Sequence, residues 1–339
     1  MKKLLLTMSV LSVLSHGAYA AVGIDGKDYA ETIPVTADNI TQVEAEVNFL
    51  KWKNKDAMNK MFDLTIPTPA GPMPTVRMNR DTLYSAQVAD ASNGLTITMP
   101  EDNEVFTSVL VINENGYSED YIWQKGTHKI LPPEKGKFVW VLFRIGLENG
   151  IDEARKVQKT MKVEGQGNGV WEPKPYDKAQ YETLHKEYMQ KAIDGGIVLD
   201  YGHTEGRIAK ETKRMSDAVG WGGMDFRINS YQVSKDYENS GCYQTTFEDP
   251  RVDEFWSITV YSEDGWLLPT DMKTVLNSRD AKPNQDGSYT VSFNCGEDAI
   301  NNLETGTDKT FNWAWRAYGS SYKVKAGKWN PISTFHKVK

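Results

Sequence analysis

Ten residues, VRMNRDTLYS at positions 76 to 85, hold the densest set of side chains able to do chemistry. Arg77, Asn79, Arg80, Asp81, Thr82, Tyr84 and Ser85 stand there, directly after the proline-rich loop PTPAGPMP. An arginine can fork onto a carboxylate or an anionic ligand, and Asp81 can act as a base or as the arginine's partner. If the segment is extended, alternation places Arg77, Asn79 and Asp81 on one side. The competing reading is a buried Arg–Asp network that joins a domain to a helix.

Other positions extend the candidate set. Arg316 is the charged exception in the aromatic run WAWRAYG, either reaching solvent at an edge or meeting a carboxylate inside, with Asp81 the attractive partner. In GWGGM, Gly220 suits the position just past a helix, and Trp221 either packs under a neighbour or stands beside a ligand. FWSITVYSEDG (255 to 265) contributes Trp256 and Tyr261. The ligand-contacting candidates are therefore Arg77, Asn79, Arg80, Tyr84, Tyr117, Trp221, Trp256, Tyr261 and Arg316, with Asp81 as the catalytic candidate.

Recognisable catalytic signatures are missing. There is no GxSxG elbow, HExxH, CxxC or Gly-rich phosphate loop. Ser320-x-x-Lys323 lacks the companion motifs of a Ser/Lys enzyme. His128, His185, His203 and His336 have no metal-ligand spacing to one another. His203-x-Glu205 could supply two ligands, and a solvated loop explains it equally well. No metal and no cofactor is expected.

The elements that must position these residues are mostly strands. TQVEAEVNFLKWKNKDAMNKMF has helical spacing, with Val43, Val47, Leu50, Met58 and Met61 on one stripe and a capping box at Thr41 and Glu44. LTITMP, VFTSVLVI, THKIL and KFVWVLFRI then read as strands. Helical language returns in IDEARKVQKTM, YDKAQYETLHKEYMQKAI and GRIAKETKRMSDAVG. After residue 240 the strands CYQTTFED, FWSITVYS, SYTVSFNC and TFNWAWRAYG follow.

The two β blocks echo one another. FTSVLVINENG (106 to 116) aligns without gaps on FWSITVYSEDG, and FVWVLFRIG (138 to 146) resembles FNWAWRAYG (311 to 319), each with an Arg near its end. Two matches in the same order imply two β domains of one topology. Alternation puts Ser108, Leu110 and Ile112 on one face, and Ser257, Thr259 and Tyr261 on the corresponding one. The second copy is the more polar and aromatic.

Composition sets the class. MKKLLLTMSVLSVLSHGAYA has the layout of a secretory signal peptide cleaved near Ala20, and its apolar run is too short to span a bilayer. That predicts a periplasmic or secreted protein without a membrane span. Cleavage removes two lysines and no acids, taking the formal charge from −7 to −9. An acidic surface argues against nucleic acid or anionic lipid as partner. Nothing in the sequence specifies an oligomeric state. Cys242 and Cys295 are the only cysteines, and in an oxidising compartment they are candidates for a disulfide, or else two separate buried thiols.

RMNRDTLYS, LTITMP, AVGWGGM, RVDEFWSITVY, DGSYTVSF and WRAYG, in that order, resemble a family of exported bacterial proteins that combine the domains of unknown function 1254 and 1214. The resemblance runs from about residue 36 to 330 and implies two tandem jelly-roll-like β-sandwiches without an established chemistry. The expected organisation is a signal peptide at 1–20 and an N-terminal helix with a first sandwich at 21–150. A helical connecting segment at 151–235 and a second sandwich at 236–339 complete it. Two departures stand out. Relatives often carry a cysteine pair within the DGS strand and the loop after it, where this chain keeps Cys295 but has NNLE. The early helix has only Glu44, Glu46 and Phe49 in place of an acidic, aromatic-ended motif. The fold and the aromatic wealth favour binding of a small molecule or carbohydrate in or between the sandwiches. Hydrolysis of a small ester, amide or sugar conjugate by Asp81 with an arginine is the alternative, and a structural envelope role the third.

Overall fold

The computed structural model describes residues 21–339 except 102–103, 196–198, 202–204, 226–227, 322–323, 325–328 and 339. The signal-like segment, His203 and Lys323 lie outside the described residues. Along the chain run β1 (Ala21–Val22), β2 (Asp28–Tyr29), α1 (Ile40–Lys53), β3 (Phe62–Leu64), β4 (Thr82–Asp90), β5 (Leu95–Met99), β6 (Thr107–Asn113), β7 (Ser118–Ile122), β8 (Gly126–Ile130) and β9 (Phe138–Gly146). Then come α2 (Ile151–Gln158), β10 (Lys162–Glu164), α3 (Lys178–Gly195), α4 (Lys210–Gly220), β11 (Asn229–Val233), β12 (Tyr237–Glu238) and β13 (Tyr243–Phe247). The chain ends with β14 (Phe255–Ser262), β15 (Val275–Asn277), β16 (Tyr289–Phe293), β17 (Asn302–Leu303), β18 (Thr310–Tyr318) and β19 (His336–Lys337).

The protein is mainly β. Its first sandwich packs the sheet β3-β4-β9-β6-β7 on the sheet β10-β5-β8, around Leu83, Ile97, Val109, Val141, Phe143 and Val163. The second packs β11-β18-β14-β15 on β17-β16-β13-β19, around Trp256, Ile258, Val260, Val291, Trp313 and Trp315. The middle strands correspond one to one: β4, β9, β6 and β7 take the places of β11, β18, β14 and β15. The two large sheets meet through their remaining faces, where Tyr84, Leu110, Ile112, Trp140, Leu142, Tyr261 and Ala314 share one cluster with α1 residues Phe49 and Trp52.

Strand β4 escapes a reading by alternation because it is a central strand buried along its whole length. Leu83 and Ala89 enter the first sandwich core, while Tyr84, Ala86 and Val88 face the junction. A strand covered on both faces carries no polar–apolar period. β11 likewise falls inside the stretch read as helical, yet pairs along β18.

The second echo is real in topology and slipped by one residue in register. Arg144 lies between Tyr84 and Ser108 on neighbouring strands, and Arg316 lies between Tyr231 and Ser257. Each large sheet thus carries a Tyr–Arg–Ser row at its centre. Aligning FVWVLFRIG with FNWAWRAYG by Phe and Trp pairs Trp140 with Trp313, but Trp140 faces the junction and Trp313 faces its own core. A shift of one residue exchanges faces. The first echo keeps its register, and Phe106 and Phe255 even touch, ring centroids 5.8 Å apart.

Two expectations about α1 fail. The helix ends at Lys53, and Asp56 turns left-handed at φ 64°, so Met58 and Met61 lie outside it. The Thr41–Glu44 capping box does not form. Buried Glu44 instead accepts from the Tyr181 hydroxyl at 3.1 Å and sits against His185 Nδ1, tying α1 to α3. Gly220 is the last residue of α4 rather than the one beyond it. Cys242 and Cys295 form a disulfide just past the β13–β16 ladder, Cα atoms 4.5 Å apart.

On α4, Lys213 and Asp217 form a buried ion pair at 2.5 Å. Burial pushes the Asp217 carboxyl up to about 7 against the pull of Lys213. The folded state therefore holds this proton more tightly than the unfolded chain, whose carboxyl titrates near 3.8. The stability due to this group is full below about pH 4 and is lost as pH rises through 7. In Asp217→Asn, unfolding midpoints measured from pH 4 to 8 are expected to lose that downward slope. An unchanged slope would assign the titration elsewhere.

Candidate functional site

The loop from Pro67 to Asp81 is laid into the junction between the large sheets, and its turns decide where the polar residues point. Arg77 is left-handed at φ 54°, and Asn79 Oδ1 accepts from the backbone N–H groups of Asp81 and Thr82 at 3.0 and 3.1 Å. This captured turn keeps the segment from being extended, so Arg77 and Asp81 part company instead of sharing one side. The Arg77 N–H also donates to the Gly265 carbonyl at 3.0 Å. Gly265 has φ 78°, and a Cβ there would lie 3.0 Å from the Arg77 guanidinium carbon. The closing glycine of FWSITVYSEDG is therefore what lets the loop dock.

Between the sheets lies a cavity of about 70 Å³. Its wall brings together Arg77, Asn79, Tyr84, Trp221 and Arg316 from the sequence-derived set, and adds Trp52, Trp140, Arg144, Tyr201, Tyr231 and Tyr318. Three guanidiniums thus line one space, all at least nine-tenths buried. Arg77 donates to the Val219 carbonyl at 2.8 Å, at the negative end of α4. Arg144 donates to the Gly222 carbonyl at 2.7 Å and approaches Met224 Sδ at 3.5 Å. Arg316 donates to the Arg77 carbonyl at 2.6 Å, the Tyr261 hydroxyl at 2.5 Å and Thr259 Oγ1 at 3.2 Å.

Among the described residues, none of the three forms an ion pair with a carboxylate. Burial lowers the pKa of Arg77, and the charge of Arg316 adds to that. Burial also opposes the charged forms of Arg144 and Arg316. There interactions with the surrounding tyrosines, led by Tyr231 for Arg144 and Tyr261 for Arg316, act the other way, and both lie above the ordinary value.

The expected Asp81–Arg316 ion pair is absent, although Asp81 lies within electrostatic reach of Arg316. Asp81 is buried outside the cavity wall, beside Ser257, Asn277 and Arg279, and neither carboxylate oxygen makes a hydrogen bond of normal geometry. Burial raises its pKa. Arg80 is a clasp: it binds the Thr68 and Leu268 carbonyls at 2.8 and 2.5 Å and Thr274 Oγ1 at 3.2 Å. Tyr261 supports the cavity from behind by donating to the Met78 carbonyl at 3.0 Å. Trp256 points the other way, into the second sandwich core. Tyr117 stands at a separate surface hollow with Lys135, Glu205 and Arg214. Trp221 both packs, 4.7 Å from Trp140, and lines the cavity.

Arg144 is the cavity arginine that the sequence-derived set lacked. Its signal was present, since both echoed strands end in an arginine before a glycine, but the slipped alignment hid its equivalence to Arg316. A larger open hollow of about 780 Å³ lies elsewhere at the junction, lined by Glu104, Glu148, Asp253, Glu254, Lys125 and Arg279 among others. Arg279 is paired with Glu148 at 3.0 Å, so that hollow has an acidic surplus and no buried orphan cation. No cluster of three or more His, Cys, Asp or Glu able to hold a metal occurs among the described residues.

Two glycines of the wall respond oppositely to substitution. A Cβ at Gly220 would make only ordinary contacts, the nearest at 3.7 Å, whereas one at Gly223 would lie 2.0 Å from the Tyr201 ring. Gly220→Ala, at a helix end, is expected to be neutral or to stabilise by up to about 1 kcal/mol. Gly223→Ala is expected to cost about 1–3 kcal/mol through overpacking. Denaturant midpoints of the two variants check the ordering.

No curated protein matches the chain. Among solved structures, the VPA0106 protein from Vibrio parahaemolyticus is similar over 89% of this chain and 99% of that one, with a TM-score of 0.65 at 15% identity. An uncharacterized protein from Burkholderia cenocepacia is similar over 83% of this chain and 84% of that one, with a TM-score of 0.52, also at 15% identity. At such identities the likeness is one of fold. By sequence, residues 227–322, the stretch from just before β11 to just after β18, match the family described as "Protein of unknown function (DUF1214)".

Proposed function

We propose that this protein binds a small molecule in the cavity between its two large sheets. One observation carries the reading: the junction of the repeated domains, where a continuous core would be cheapest, instead leaves a space walled by aromatic rings and by polar groups without full partners. Small-molecule sites combine such apolar walls with a few convergent polar groups and favour domain interfaces. Binding is better supported than hydrolysis, because Asp81 stands off the wall and faces Ser257 and Asn277. A carbohydrate is less well supported than a small molecule, since a neutral sugar leaves the buried guanidiniums without counter-charge.

The test is a panel of small acids, amines and sugars, read by thermal shift and by emission of Trp52, Trp140 and Trp221. A saturable signal is expected for at least one class and is expected to vanish in Ala314→Phe, which fills the space. Hits that survive that variant would place the binding elsewhere.

We further infer that the chain is exported and that its N-terminal half is of the 1254 type. The Cys242–Cys295 disulfide supports export, since such bonds persist in oxidising compartments. The mass of the mature chain is expected to correspond to a start at Ala21.

A further inference from the structure

We propose that the ligand of this cavity is an oxyanion, a molecule bearing a carboxylate or phosphate group gripped by Arg77, Arg144 and Arg316. The proposal rests on the reading that the cavity binds a small molecule.

Each arginine reaches the cavity from a different part of the fold. Arg144 comes from the middle strand of the first large sheet and Arg316 from the equivalent strand of the second. Arg77 comes from the loop clamped between them. The two strand arginines occupy matching places in their Tyr–Arg–Ser rows, so the junction presents a cation from either side. Three guanidiniums carry roughly fifteen N–H donors. Among the described residues they make six hydrogen bonds to the protein, one of them to a thioether. Arg77 Nε is buried with no acceptor at all. Asp81 and Asp236 act on Arg316 and Arg77 only from a distance.

A structural role accounts for part of this arrangement, because Arg144 and Arg316 tie loop carbonyls to their sheets and Arg77 ties the loop to the end of α4. It does not account for the charge. Neutral donors would hold those carbonyls without the desolvation cost of buried cations, which is several kcal/mol per ion when unpaired. An oxyanion supplies what is missing: opposite charge, and acceptors matched to the planar fork of a guanidinium. Tyr201 lines the same space, and its hydroxyl offers one further donor. The cavity of about 70 Å³ suits an anionic head group rather than a large body.

The experiment compares charged and neutral probes of one shape on the full mature protein, at fixed ionic strength held with sodium chloride. Acetate, succinate and inorganic phosphate are titrated by calorimetry and thermal shift beside acetamide and succinamide. Saturable binding of at least one anion, with none of the amides, is expected. Arg144→Lys keeps the charge and loses the fork, and is expected to weaken that anion at least tenfold. The arms with succinate and phosphate tell a carboxylate site from a phosphate site. Equal stabilisation by succinamide would overturn the oxyanion assignment while leaving small-molecule binding intact. Anion effects that are unchanged in Arg144→Lys would reduce to general salt stabilisation and overturn it too. Absence of any binding by the three anions, with a neutral or cationic hit elsewhere in the panel, would do the same.

Discussion

Replacing Cys242 and Cys295 together by serine is expected to lower the stability of the second sandwich by about 4 kcal/mol, the largest single effect foreseen for this chain. The two residues are 53 positions apart in sequence. Opening a loop of about that length restores roughly 14 cal/mol/K of chain entropy to the unfolded state, which is about 4 kcal/mol at 25 °C. The loop contains β13, β14, β15 and β16, so the crosslink restrains strands of both sheets before they pair. Loss is therefore expected to concentrate in the second sandwich. Four tryptophans, Trp256, Trp313, Trp315 and Trp329, lie buried in its core and report on it. A guanidinium titration followed by their emission should show the lowered midpoint. Hydrogen exchange should show protection in β5, β6 and β9 falling less than in β13 and β16. A double-serine protein with the parental midpoint would mean that the unfolded chain is already restrained there.

The strands of both echoes are buried on both faces, so their register was legible only where a like polar residue marks one face. FTSVLVINENG and FWSITVYSEDG gave a correct register because Ser108 and Ser257 mark the same face in each. FVWVLFRIG and FNWAWRAYG did not, because aromatic residues occupy either face. Trp140 and Trp313 look alike in sequence yet belong to different cores. The same slip concealed Arg144. β4 was missed for a related reason, being read for its polar start rather than its two buried faces.

The polar cluster at 76–85 was rightly singled out as the place where loop and junction meet. Its internal geometry was not readable, because the outcome depends on one side chain. Asn79 captures the N–H groups of Asp81 and Thr82, an Asx-type turn that competes with an extended chain. Once that turn forms, Arg77 is sent to the cavity and Asp81 behind it. Arg80 turns away to the carbonyls of Thr68 and Leu268. Neighbouring residues in sequence thereby serve three separate purposes, and no periodicity could have assigned them.

Arg77→Met is expected to make the ligand-free protein more stable while abolishing its response to anions. Of the three cavity arginines, Arg77 is the least compensated. It makes one hydrogen bond, to Val219, its Nε has no acceptor, and burial lowers its pKa where those of Arg144 and Arg316 are raised. Removing the charge relieves a desolvation cost of several kcal/mol and its repulsion with Arg316. Against this stands the Val219 carbonyl, left without that donor at a cost of about 1–3 kcal/mol. Both side chains are unbranched and neither is glycine, so the left-handed backbone at position 77 is equally strained before and after. The balance favours methionine by about 1–3 kcal/mol, which for a protein of this size is an upward shift of roughly 2–6 °C in Tm. Stability withheld in this way is what a site held ready for a ligand shows. The decisive comparison is the pair of Tm values with and without saturating anion: the variant should start higher and fail to move. A lower Tm with an undiminished anion shift would instead assign Arg77 to the structure alone.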